Sequence, residues 1–124
     1  GNYFANNKTL QNLEDNNLTD DAIIAIAQSP KLISLEVLIL SKNRITDIGA
    51  LALANSKTLV NLKELDLNFN KIENQGAIAL ARAETLANLK ALKLGQNKIG
   101  ATGAKELEES KVLVNLTNPV FGFY

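Results

Sequence analysis

The 124-residue chain contains no cysteine, no histidine and no methionine. Without histidine and cysteine it lacks the commonest general base and the thiol nucleophile. Zinc sites built from those ligands are likewise excluded. Neither sign of charge is in excess: 13 Lys and Arg balance 13 Asp and Glu, so nothing points to nucleic acid or to a membrane surface as a partner. There is no run of about 18 apolar residues, and no transmembrane helix is predicted. No signal peptide is visible, and a Gly start in a chain without methionine reads as a processed or trimmed N-terminus. The length suits one domain.

What the chain does contain is an echo of itself. Leu35, Leu62, Leu89 and Leu116 are spaced by 27 residues, and so are most residues that follow them. The segments read LEVLILSKNRITDIGALALANSKTLVN, LKELDLNFNKIENQGAIALARAETLAN and LKALKLGQNKIGATGAKELEESKVLVN. A fixed period of this length marks a stack of one repeated unit. Each unit carries L-x-x-L-x-L-x-x-N-x-I, for example Leu62, Leu65, Leu67, Asn70 and Ile72. Leu38 and Leu40 are two apart, as one face of a strand requires. After the Asn the period changes. Gly49-Ala50-x-x-Leu53-Ala54, Gly76-Ala77-x-x-Leu80-Ala81 and Gly103-Ala104-x-x-Leu107 place small and apolar residues along a helical stripe. Each unit is therefore a short strand, a turn, a helix and a loop back, with the strands stacked in parallel: an α/β fold.

The L-x-x-L-x-L-x-x-N-x-I core, repeated three times in register, resembles the leucine-rich repeat family. The Gly-Ala-x-x-Leu-Ala helix resembles the ribonuclease-inhibitor-like subclass, shared with immune-receptor repeats. It is similar also to the Gly-Ala-Leu-Ala repeats of some bacterial effectors; the nearest text here is GALALA at Gly49–Ala54. The resemblance covers nearly the whole chain. It implies a solenoid with a parallel sheet on the concave face and α-helices on the convex face, and no particular partner. Extracellular repeats of this family often carry disulfide-bonded caps, so the absence of cysteine implies a reducing, intracellular setting. That setting is the cytoplasm, or a host cytosol reached by secretion.

One domain is expected over 1–124. It comprises a degenerate first repeat at 1–34, full repeats at 35–61, 62–88 and 89–115, and a C-terminal capping strand at 116–124. Subtracting 27 puts Leu13, Asn16, Leu18 and Ala22 on the slots of Leu40, Asn43, Ile45 and Gly49, while Lys8 and Gln11 fall where leucines belong. The first unit thus keeps its helix with a weakened strand. At the other end Pro119 and Phe121 occupy the slots of Leu38 and Leu40. Pro119, Phe121, Phe123 and Tyr124 either form an aromatic lid over the last repeat or mark a cut in a longer array.

Asn16, Asn43, Asn70 and Asn97 form a ladder expected to be structural. Where the chain bends from strand to helix, an inward amide can satisfy buried backbone groups, each costing about 1–3 kcal/mol if left unpaired. Gly49, Gly76 and Gly103 are expected to let the helix starts pack closely, and they are too far apart for a phosphate loop. Thr46/Asp47, Asn74, Thr102 and Asp20/Asp21 are read as N-caps of their own helices. Asn-x-Thr sequons at Asn7, Asn17 and Asn115 read as chance in an Asn-rich chain.

Binding should use side chains that the core does not need, the x positions of each strand. The central row is Asn12, Ile39, Asp66, Lys93 and Val120, preceded by Leu10, Val37, Glu64, Ala91 and Asn118. Beyond it run Glu14, Ser41, Asn68, Gly95 and Gly122, then Asp15, Lys42, Phe69, Gln96 and Phe123. Val37, Ile39 and Phe69 are apolar where the face could be polar. With Lys42, Glu64, Asp66, Lys93 and Gln96 around them they have the anatomy of a protein-binding patch. The bland alternative is that Asp66 and Lys93 pair across adjacent strands and that Val37 and Ile39 merely suit a strand. On the helix side, Ile24, Leu51 and Ile78 share one position, broken by Lys105, and are expected to pack between helices.

Catalysis would rest on carboxylates, Glu64 with Asp66 or Glu14 with Asp15. Neighbouring Lys63, Lys90 and Lys93 and an open face argue against it. The expected function is a non-catalytic module binding a protein partner through its concave sheet, in an effector or adaptor, with no cofactor. The alternative is a spacer or oligomerisation segment of a larger receptor-like protein. The acidic first unit and the lysines of the fourth would then stack head to tail; otherwise a monomer is expected.

Overall fold

The computed structural model describes residues 9–121. Four strands, β1 (Leu10–Asn12), β2 (Val37–Ile39), β3 (Glu64–Asp66) and β4 (Ala91–Lys93), alternate with four helices. These are α1 (Asp20–Gln28), α2 (Asp47–Ala54), α3 (Asn74–Ala81) and α4 (Ala101–Glu108). The strands form one parallel sheet in the order β1-β2-β3-β4. Gln11, Leu38, Leu65 and Leu92 stand side by side at its centre. A parallel neighbour needs a crossover, and here each crossover is the helix of the repeat.

The core lies between the sheet and the helices. Leu35, Leu38 and Leu40 and their counterparts in the next two repeats are buried. The helices meet them with Ile23, Ile26 and Ala27 in α1, Gly49, Ala50 and Leu53 in α2, Gly76, Ala77 and Leu80 in α3, and Gly103 and Leu107 in α4. Strands are only three residues long, yet backbone bonds between repeats run on into the turn, Lys42 N–H to the Asn68 carbonyl at 3.0 Å and Phe69 N–H to the Gly95 carbonyl at 2.9 Å. Asp15, Lys42, Phe69 and Gln96 occupy that turn with left-handed backbones, φ 56°, 58°, 57° and 56°.

The Asn ladder closes the bend. The Asn70 amide donates to the carbonyls of Leu40, Leu67 and Asn68 at 3.0, 3.1 and 3.2 Å and accepts from the Ile45 N–H at 3.0 Å. Asn43 and Asn97 repeat the arrangement. Asn16, at the edge, is exposed and donates locally to the Glu14 carbonyl. At the other end of the repeat, Ser56 donates to the Ala27 carbonyl and Ser110 to the Ala81 carbonyl, at 2.6 and 2.5 Å.

Several expectations are corrected. Among the described helices only α2 is capped by its own N-cap side chain, Thr46, which accepts from the Ile48 N–H at 3.2 Å. The N-cap residues of α1, α3 and α4 are Thr19, Glu73 and Gly100, and Thr102 lies inside α4. Asp20, Asp47 and Asn74 instead reach the following repeat: Asp20 accepts from the N–H groups of Thr46 and Gly49, Asp47 from Glu73, and Asn74 from Gly100 and Gly103. The first strand is fully paired, with Gln11 buried in a leucine slot. Lys8 lies outside the described residues.

No strand forms at 116–121. The Leu94 N–H still donates to the Val120 carbonyl at 2.8 Å, and the Thr117 N–H to the Lys90 carbonyl at 2.9 Å. Pro119, with φ held at about −65°, departs from the parallel-strand value of about −120°. Val120 packs against the core and Phe121 is 46% exposed, reversing the expected sides. Gly122, Phe123 and Tyr124 lie outside the described residues. On the helix side, Leu51 is 51% exposed rather than packed between helices, with Ile48 beside it at 62%. They border a groove of about 610 Å³ between α1 and α2. Among the described residues no helix is long and apolar enough to cross a membrane.

Candidate functional site

The open face of the sheet carries two rows set by strand register. Leu10, Val37, Glu64 and Ala91 form one, and Asn12, Ile39, Asp66 and Lys93 the other. Alternation sends the central residue of each strand inward and leaves these two rows outward. Val37, Ile39, Glu64, Asp66 and Lys93 are half-buried, while Lys42, Phe69 and Gln96 are exposed on the turn that follows. The eight residues selected from the sequence thus lie in neighbouring slots of β2, β3 and β4 and of the turns after them.

The next row differs from expectation. Ser41, Asn68 and Gly95 are buried, not outward-facing. Ser41 Oγ donates to Glu14 Oε1 at 2.9 Å, and Asn68 Oδ1 accepts from the Gly95 N–H at 2.6 Å. These polar groups satisfy one another along the stack and form the floor of the turn row.

The charges do not pair as the register suggests. Lys93 Nζ donates to Glu64 Oε2 at 3.2 Å, on the diagonal, rather than to Asp66 directly opposite. Asp66 Oδ1 accepts from the Asn68 N–H at 3.0 Å, an Asx turn. Burial pushes the Asp66 carboxyl above its ordinary range. The Asn68 N–H and the Lys93 charge pull it back, while Glu64 and Glu14 push it further up. Glu14 thus belongs to this electrostatic neighbourhood. Sequence reasoning placed it in one row with Ser41 and weighed it as half of a catalytic pair, without choosing it for the binding patch. Its 27-residue offset from Ser41 was the available signal, since side chains in one row meet across repeats.

Phe69 gives the face its aromatic. Phe69 is 40% exposed, and Lys42 Nζ lies 5.9 Å from its ring centroid, within cation–π reach. A bulky residue is poorly suited to the left-handed backbone that the turn imposes. Cavities elsewhere among the described residues lie between α1 and α2, beside Arg82 and Glu106, and around Pro119 and Phe121.

The charge contrast between the first and fourth units is partly spent within the molecule. Asp20 Oδ2 accepts from Thr46 Oγ1 at 2.6 Å, and Lys93 is paired to Glu64.

Residues 33–79 match the family model described as leucine rich repeats (2 copies), and residues 6–27 and 85–107 match a leucine rich repeat model. Among curated proteins, none matches the chain significantly.

Proposed function

On the premise that the chain is a leucine-rich-repeat solenoid, a kind of protein that is generally an interaction module and typically non-catalytic, we propose that it binds a protein partner through the open, concave face of its sheet. The observation that carries this reading is Phe69. Its ring is exposed on a left-handed backbone, a conformation that disfavours bulky side chains. It follows by three residues Asp66, the register partner of the apolar Ile39, with Val37 two residues before Ile39. An aromatic kept against local preference, in the turn that continues the face carrying Ile39 and Val37, supports a binding centre, because aromatic anchors dominate protein interfaces. Glu64, Asp66, Lys93, Lys42 and Gln96 supply the polar rim. The face sits on a rigid stack, so little ordering entropy opposes association.

Finer features follow from the same reading. The helix in every unit, with its small-residue start, supports the ribonuclease-inhibitor-like subclass. A cysteine-free chain suits an effector or adaptor working inside a cell, as a monomer. The spacer reading is the less supported one, because Glu14, Asp20 and Lys93, three of the charges that would join copies head to tail, are engaged internally.

The test is a cross-linking pull-down comparing the wild type with a folded Ile39→Ser/Phe69→Asn variant. A protein captured by the first and lost by the second supports the open face. Equal capture moves the site to the Ile48–Leu51 ridge, and a mass that rises with concentration favours self-association.

A further inference from the structure

The open face has a chemical preference that its shape alone does not convey. Three carboxylates converge on it: Asp66 in β3, Glu64 two residues before it, and Glu14 from the first repeat, whose charge reaches Asp66. Lys93, the cation whose charge also reaches Asp66, already donates to Glu64, and Ser41 donates to Glu14. Asp66 itself receives one hydrogen bond, from the Asn68 N–H to Oδ1. Among the described residues nothing donates to its other oxygen, Oδ2. A half-buried carboxylate with an unused acceptor, beside two further carboxylates, is under-compensated by its own chain.

The surroundings of Asp66 are apolar on one side. Ile39 is its register partner on β2, with Val37 two residues before. Phe69 lies three residues further along, with Lys42 over its ring, so that ring can already accept a cation on its face. An aliphatic stem ending in a positive charge matches this sequence of surfaces: the stem against Ile39 and the charge at Asp66.

We propose that the occupant of this face is a segment of a protein partner that presents an arginine or lysine between apolar side chains, with the basic group on Asp66 and the apolar groups on Ile39 and Phe69. This rests on the open-face reading above. Arginine fits better than lysine, because its planar fork offers a carboxylate two parallel donors where lysine offers a point charge. The partner's charge takes the place at Asp66 Oδ2, to which none of the described residues donates.

The experiment selects random twelve-residue peptides displayed on phage against the wild-type protein. Enriched peptides are then titrated onto the wild type, Asp66→Asn and Ile39→Ser/Phe69→Asn, each checked for folding by circular dichroism. The expected result is enrichment of Arg or Lys flanked by aliphatic or aromatic residues. Affinity should fall about tenfold or more on Asp66→Asn, the scale of one charge-assisted hydrogen bond, and should fall also on Ile39→Ser/Phe69→Asn. Peptides without basic enrichment that bind Asp66→Asn normally but fail on the apolar variant overturn the basic-partner inference and leave the docking face standing. Absence of binders, or binders indifferent to both variants, overturns both.

Discussion

Asp20 accepts hydrogen bonds from the backbone N–H groups of Thr46 and Gly49 at 2.9 and 3.0 Å, so the helix start of one repeat is held by an acid in the repeat before it. Asp47 does the same for Glu73 at 2.7 Å, and Asn74 for Gly100 and Gly103 at 2.8 and 3.0 Å. The oxygen occupies the space that a side chain at the glycine would need. A Cβ added at Gly49, Gly76 or Gly103 would lie 2.6, 2.6 or 2.8 Å from it. Capping and close packing are thus one device, and it joins repeats rather than finishing a helix.

Gly76→Ala follows directly. In an ordinary helix this change stabilises by about 1 kcal/mol. Here the new methyl meets Asp47 Oδ1, Ile72 Cγ2 at 2.8 Å and Ala50 Cβ at 3.0 Å, and we expect a loss of about 1–3 kcal/mol. Thermal denaturation checks it, and a variant as stable as the wild type would contradict the shared-space account. Adding Asp47→Ala should recover part of the loss, since one of the three clashes disappears.

Asn70→Ala should be among the most damaging polar substitutions. It strips a partner from the Ile45 N–H and from the carbonyls of Leu40, Leu67 and Asn68 within a buried bend. A cost of about 3 kcal/mol or more is expected from groups worth about 1–3 kcal/mol each. Asn16→Ala, at the exposed edge, should cost well under half as much. Urea titration of the two variants decides, and equal costs would show that the ladder is not what holds the bend.

Phe69→Asn separates stability from binding. Asn tolerates the left-handed backbone at this position, so the variant should gain about 1 kcal/mol. It should also bind peptides or partner more weakly. A lower melting temperature would mean that the exposed ring contributes more to the fold than its backbone costs.

Asp66 predicts a pH dependence with a definite sign. Its folded carboxyl titrates above the ordinary 3.8, chiefly because burial removes water from the charged form. The folded state therefore holds the proton more tightly than the unfolded chain. This favourable contribution is fully present below 3.8 and is lost as pH rises through the raised folded value. Asp66→Asn, which keeps an acceptor for the Asn68 N–H, should be more stable than the wild type at neutral pH. The advantage should vanish at about pH 3. Melting curves at the two pH values measure it; an advantage that persists in acid would point to packing instead.

What the chain alone determined was that the repeated leucines of the strand segments leave water. The 27-residue spacing of Leu35, Leu62 and Leu89, the two-residue spacing of Leu38 and Leu40, and the change to a helical stripe after Asn43 are local patterns. They specified the strands, the helices, the parallel stack and the inward Asn ladder. The eight residues of the open face were legible for the same reason, being what remains when the core positions are removed. Stacking decided who meets whom. Asp47 looked like a cap for its own helix, yet its oxygen finds the N–H of Glu73, 26 residues on. Lys93 takes Glu64 on the diagonal, and Val120 rather than Phe121 turns inward after Pro119. Burial of the leucine slots follows from periodicity within one element, whereas that of Ser41, Asn68 and Gly95 follows from the stacking of the turns. A hydrogen-bond or ion partner must come within about 3 Å, and only the tertiary structure sets which neighbour does.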